Sequence, residues 1–183
     1  MKQAVIVYWS RTGNTEKVAH AIREGLVAAG VEVEVKRPED ARDVDFFGYD
    51  LVCVGFPSIQ WHPPKPMDEY LQKKFAEYRE RGMVKLCAPR VAGRNALVFC
   101  TYSGPHTGAN EAVPAGKYAG QFFEHLGFSV AERYVPGEFH GSEDNSTKGR
   151  MGNLKGRPNS EDLRKIREDA QKLAKNFDAQ KSE

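Results

Sequence analysis

The run Ala4-Val5-Ile6-Val7-Tyr8-Trp9-Ser10-Arg11-Thr12-Gly13-Asn14-Thr15 joins a strand to a helix. Its unbroken apolar residues 4–8 have the pattern of a strand buried on both faces. Beyond the loop, Val18, Ala19, Ile22, Leu26 and Ala29 recur at helical spacing until Gly30 provides a stop. A helix N-terminus leaves backbone N–H groups without intrahelical partners, at the positive end of the helix dipole. Such a place suits a phosphate. Ser10, Thr12 and Thr15 add hydroxyls, and Gly13 lets the backbone approach closely. Thr and Asn are also ordinary N-caps. Three hydroxyls with a Gly and an Asn exceed what capping requires.

The same strand–loop–helix grammar continues outward. Val31-Glu32-Val33-Glu34-Val35 alternates, as an edge strand with one wetter face does. In the polar stretch 38–48, Phe46 and Phe47 mark a small helical turn that tucks inward. Leu51-Val52-Cys53-Val54-Gly55-Phe56 reads as a third strand. It opens into Pro57-Ser58-Ile59-Gln60-Trp61-His62-Pro63-Pro64, where the paired prolines oppose helix. Met67, Tyr70, Leu71, Lys74, Phe75 and Tyr78 then mark a helix ended by Gly82, and residues 83–95 read as a surface connection. Ala96-Leu97-Val98-Phe99-Cys100 is a fourth strand, followed by the loop Thr101-Tyr102-Ser103-Gly104-Pro105-His106-Thr107-Gly108. A helix from about Glu111 turns Val113, Tyr118, Phe122, Phe123 and Leu126 inward, and residues 128–135 form the last strand. Residues 138–158 are polar and Gly-rich: a polar surface loop, either mobile or serving as a lid or partner-binding segment. Asn159 or Ser160 caps a final helix with Leu163, Ile166, Ala170, Leu173 and Phe177 on one face. Alternation of this kind predicts a mostly parallel sheet with right-handed crossovers. Ligands then bind beyond the carboxyl ends of the strands, where the loops after strands 1, 3 and 4 converge.

A strand, then Ser-Arg-Thr-Gly-Asn-Thr, then a helix resembles the phosphate loop of flavodoxin-like proteins, Ser/Thr-x-Thr-Gly-x-Thr. The resemblance covers about residues 3–135 in element order. It implies a doubly wound α/β fold, with a five-stranded parallel sheet of order 2-1-3-4-5 and helices on both faces. It also implies a single FMN-binding domain over residues 1–183. The FMN phosphate would sit on Ser10, Arg11, Thr12, Gly13, Asn14 and Thr15. Pro57, Ser58, Ile59, Gln60 and Trp61 from the second loop would meet the ring, as would Thr101, Tyr102, Ser103, Gly104, His106 and Gly108 from the third. Trp61 and Tyr102 are the implied ring-flanking aromatics. Beside His62-Pro63-Pro64, Trp61 is expected on a stiff loop. Tyr102, ahead of Gly104 and Gly108, is expected on one able to swing aside. The third loop also resembles the Gly-x-x-His-Gly-Gly-x-Glu loop of flavodoxin-like quinone reductases at His106, Gly108 and Glu111. Three functions follow as expectations. The chain is an electron carrier serving redox partner proteins, an FMN-dependent NAD(P)H:quinone reductase with a small-molecule acceptor, or a binding module of the same fold without turnover.

Composition narrows the field. At 183 residues, with 40% hydrophobic and 28% charged residues, the chain is globular. Its net charge of +2 and its lack of a basic stripe with interleaved aromatics speak against nucleic acid. The acidic surface usual in small electron-carrying flavodoxins is also missing. No apolar segment is long enough to span a bilayer and the start runs straight into a strand, so no membrane partner and a cytoplasmic location are expected. Cys53, Cys87 and Cys100 show no ligand spacing, the five histidines form no cluster, and no metal is expected. Cys53 and Cys100 lie in strand patterns as small hydrophobes, with Cys100 near the ligand edge.

Overall fold

Strands alternate with helices because each apolar run of five to seven residues is punctuated by a glycine, proline or short polar turn. The computed structural model describes residues 1–179, with side chains through Lys175. Phe177, expected on the apolar face of the last helix, lies outside the described side chains. In chain order come β1 (Lys2–Tyr8), α1 (Asn14–Ala28), β2 (Val31–Lys36), β3 (Leu51–Pro57), α2 (Lys65–Glu80), β4 (Asn95–Tyr102), α3 (Val113–His125), β5 (Ser129–Pro136), α4 (Glu143–Thr147) and α5 (Ser160–Ala179). Single 3-10 turns occupy Pro38–Asp40, Phe46–Gly48 and Gly108–Glu111.

The five strands form one sheet in the order β2-β1-β3-β4-β5, as expected, and every pairing is parallel. Period-two geometry sends alternate residues of the central strands into two separate cores. Val5, Val7, Val52, Val54, Phe56 and Val98 face α2 and α3, together with the aromatic group Phe46, Tyr78, Phe123 and Phe128. Ala4, Ile6, Cys53, Leu97 and Phe99 face α1 and α5. Each large side chain buried in this way contributes about 1.5–3 kcal/mol. The Phe46 turn is held down as well as packed, since its N–H donates to the Tyr78 hydroxyl at 2.6 Å. β2 is the edge strand that its alternation predicts, with only Val31 buried.

One close approach fixes how α1 and α5 sit together. Gly25 of α1 meets α5, where a Cβ would stand 2.3 Å from the Arg167 carbonyl oxygen. Asn159 and Asp162 cap α5 reciprocally. The Asn159 side chain accepts from Asp162 N–H at 3.0 Å, and the Asp162 carboxylate accepts from Asn159 N–H at 2.9 Å. Among the described residues, no helix is long and apolar enough to cross a membrane.

Candidate functional site

The carboxyl ends of β1, β3 and β4 open into three loops at one edge of the sheet, and a cleft of about 640 Å³ lies among them. That volume suits a ligand of nucleotide size. Every residue expected at the site lines this cleft except Gly13 and Gly108.

The first loop feeds α1. Gly13 has φ +92°, donates its N–H to Ser10 Oγ at 3.1 Å and offers its carbonyl to Lys17 N–H at 3.0 Å. Among the described residues, the N–H groups of Arg11, Thr12, Asn14 and Thr15 take no protein acceptor. The side chains divide by commitment. Thr15 is buried and pairs its hydroxyl with that of Thr101 at 2.8 Å, joining the start of α1 to the end of β4. Asn14 spends its amide on the Glu138 carbonyl at 2.9 Å. Thr12 and Arg11 are exposed and uncommitted. Free N–H groups, a free hydroxyl and a guanidinium at a helix N-terminus make a cradle for a dianion.

The second loop is a two-residue hairpin turn. Ile59 and His62 exchange N–H···O bonds at 3.0 Å in each direction, and the residues between them, Gln60 and Trp61, have φ of 50° and 66°. Such a turn requires positive φ at both central positions and is normally built from Asn and Gly. Trp61 is 59% exposed. The prolines that follow are buried and lead directly into α2, whose N-cap is Pro64.

The third loop is tightly bound. The Glu111 carboxylate accepts from the N–H groups of His106 and Thr107 at 2.8 and 2.7 Å. Gly104, with φ +53°, lies so near Gly108 that a Cβ would come within 2.4 Å of the Gly108 oxygen. Tyr102 is half-buried, and burial pushes its phenol up. The expected contrast between a stiff Trp61 loop and a mobile Tyr102 loop is therefore reversed in the bonding. The glycines of the third loop serve close packing, while the Trp61 turn stands out from the surface in a strained conformation.

Pro105 and Glu111 also line the cleft, and so does a fourth wall, Gly137, Glu138, Phe139, His140, Gly141 and Asn145, from the polar segment whose lid alternative named no site residues. These residues carry no periodic pattern; only Gly137 and Gly141, bracketing an aromatic and a histidine, hint at a ligand loop. Cys100 does not line the cleft, and burial pushes its thiol up, with the Glu132 charge acting in the same direction. It behaves as a core residue, not as a thiolate nucleophile.

The sequence pattern of one family, described as "Flavodoxin", matches residues 6–168. The chain belongs to the flavodoxin family. A flavodoxin from Megasphaera elsdenii is 44% identical over 97 residues, a match covering 53% of this chain and 63% of that one. An NAD(P)H dehydrogenase (quinone) from Rhizobium rhizogenes is 38% identical over 55 residues, covering 27% of this chain and 28% of that one. Thus the chain spans under two thirds of the length of the curated relatives it matches. Among solved structures, a flavodoxin from the domain Archaea superposes with a TM-score of 0.64 at 18% identity, covering 96% of this chain and 99% of that chain. That likeness establishes the flavodoxin fold. Family membership brings FMN as the cofactor, and the donor set of the first loop fits its phosphate.

Proposed function

We propose that this chain carries FMN in the cleft and passes electrons between redox partner proteins. The observation that supports it most is the loop 10–15, where N–H groups without a protein acceptor stand at the N-terminus of α1 and the exposed Arg11 and Thr12 line the cleft. These groups would hold the phosphate. Trp61 and Tyr102 would flank the ring, and the backbone of Ser58, Ser103 and Gly104 would meet its polar edge. Bound FMN supplies the electron chemistry, and the protein's part is to orient the ring and exclude water from it. The free thiols Cys53, Cys87 and Cys100 suit a reducing compartment, and a cytoplasmic location belongs to the same proposal. Protein purified from a flavin-replete host should be yellow and release FMN on denaturation. Release of FAD alone, or no FMN uptake by stripped protein, would remove the proposal.

A second reading, an FMN-dependent NAD(P)H:acceptor reductase, draws on the Glu111–His106 cap in a loop that resembles that of the quinone reductases. Hydride transfer requires nicotinamide to lie flat on an accessible ring face. The carrier reading is preferred because flavodoxin relatives match a larger share of the chain than the NAD(P)H dehydrogenase (quinone) does, 53% against 27%. Anaerobic mixing with excess NADPH or NADH should bleach the FMN-loaded protein slowly or not at all, whereas dithionite reduces it fully. Bleaching within the mixing time, with turnover on added quinone, would promote the second reading over the first.

A further inference from the structure

One wall of the cleft comes from none of the three loops. Residues 137–158, between β5 and α5, touch both the first loop and the third. On the first-loop side, the Asn14 amide donates to the Glu138 carbonyl at 2.9 Å. Gly137 lies so close that a Cβ there would stand 2.8 Å from Asn14 Nδ2. On the third-loop side, Gly137 N–H donates to the Tyr102 carbonyl and Arg150 N–H to the Pro105 carbonyl, both at 2.8 Å. Gly149 abuts Pro105, whose Cα would be 2.7 Å from an added Cβ.

The segment is also braced from within. The buried Ser146 hydroxyl accepts from Phe139 N–H at 2.7 Å and donates to the Phe139 carbonyl at 3.0 Å. The Ser146 carbonyl accepts from the N–H of Leu154, a fully buried residue, at 2.7 Å. This bracing holds Phe139, His140 and Asn145 at the cleft wall.

We propose that residues 137–158 clamp the phosphate end of the cofactor site, and that Asn14 is the positioning residue coupling this clamp to the phosphate loop. The proposal rests on FMN occupying the cleft. Asn14 keeps its backbone N–H without a protein acceptor in the phosphate loop while its side chain holds the Glu138 carbonyl. A phosphate that orders the first turn of α1 therefore orders the donor that holds the segment. The coupling is reciprocal: the factor by which the closed segment tightens FMN is the factor by which FMN favours closure. Riboflavin has no phosphate, leaves the cradle empty and couples weakly.

Limited proteolysis and flavin release test this together. Lys148, Arg150 and Lys155 are tryptic sites within the segment. FMN should slow cleavage at these three positions about fivefold or more, and riboflavin less than twofold. One lost hydrogen bond corresponds to about a fivefold change. Asn14→Ala should therefore release FMN about fivefold faster, leave riboflavin release unchanged and lose the FMN protection. Ser146→Ala, which loosens the segment from behind its cleft-lining residues, should speed FMN release in the same selective way. Should one variant fail to fold by circular dichroism, the other decides. Equal protection by FMN and riboflavin, or full FMN protection in a folded Asn14→Ala protein, overturns the clamp alone. Should neither flavin bind the wild-type protein, the cofactor assignment fails and the clamp falls with it.

Discussion

Residues 57–62 and residues 102–111 follow neighbouring parallel strands, and each brings one aromatic side chain to the same cleft. They are joined to each other: Ser58 N–H donates to the Thr101 carbonyl at 2.9 Å, and Ser58 Oγ to the Glu111 carbonyl at 2.7 Å. Beyond that link they are stabilised in opposite ways. The first closes on itself through a single pair of bonds and holds two non-glycine residues at positive φ, a conformation costing each about 1–2 kcal/mol. The second uses glycine where φ is positive, caps two N–H groups with one carboxylate and is backed by residues 149–151. Glycine permits an unusual conformation; whether a loop moves depends on the bonds that hold it once there. The contrast assigns any ring-edge adjustment to the Trp61 turn and leaves Tyr102 as the fixed wall.

The largest effect expected from this contrast is at Gly104. Alanine there combines a strained φ with a Cβ 2.4 Å from the Gly108 oxygen, and should destabilise by ~3 kcal/mol or more. For a chain of this size that lowers Tm by roughly 6–12 °C. Gly13→Ala is the control, because φ is again positive but nothing lies within 4 Å of the new Cβ. It should cost only ~1 kcal/mol, or roughly 2–4 °C. Equal losses in the two melting curves would mean the third loop is not the tightly packed one. Next in size is Glu111→Ala, which frees two N–H groups from a charge-assisted acceptor and should cost ~1.5–3 kcal/mol. A melting temperature within 1 °C or so of wild type would show that the carboxylate does not anchor the loop.

What the sequence made legible was local. The loop 10–15 announces itself because its strand, its hydroxyls and its helix follow one another directly between Lys2 and Ala28. The cap at Asn159 is readable because the reciprocal partner, Asp162, is three positions on. Val31 to Val35 shows its edge position by alternation alone. The unread features depend on contacts that the chain order hides. Asn14 meets Glu138 across 124 positions, and nothing near either residue signals the other. Ser146 and Leu154, which brace the fourth wall, are too sparse among polar neighbours to register as a hydrophobic period. The positive φ of Gln60 and Trp61 defies the residue preferences a sequence reading relies on, since neither residue favours that region. Local rules were broken where the site needed a particular shape.

A smaller effect separates the two aromatics. An electron-rich ring stacked on flavin disfavours the more negative reduced cofactor, so removing it should raise the potential of the last one-electron step. The shift is about 60 mV for each ~1.4 kcal/mol of discrimination lost. Tyr102→Ala should give the larger rise, because Tyr102 is half-buried and its loop is held at several points, whereas Trp61 is 59% exposed on a turn closed by a single pair of bonds. Stability should follow the same order, with Trp61→Ala within about 0.5 kcal/mol of wild type. Unchanged potentials in both variants would place the two side chains off the ring. A larger shift for Trp61 would make the second loop the better-defined wall and invert the comparison.

The smallest effect is the most direct reading of turn strain. Gln60 occupies the first central position of the hairpin turn at φ 50°, where Asn is tolerated because its short side chain bonds the local backbone. Gln60→Asn keeps a polar amide, leaves Trp61 in place and touches no buried contact, since Gln60 is exposed. Relief of strain should then stabilise the protein by ~0.5 kcal/mol, raising Tm by roughly 1–2 °C. The third loop offers no matching gain, because its left-handed positions, Gly104 and Gly108, are already glycine. A small rise in Tm for Gln60→Asn would locate strain in the Trp61 turn and make that turn the readily rearranged part of the site. No rise, or a fall, would mean that the Ile59–His62 pair has absorbed the strain. The two loops would then differ only in how firmly each is anchored.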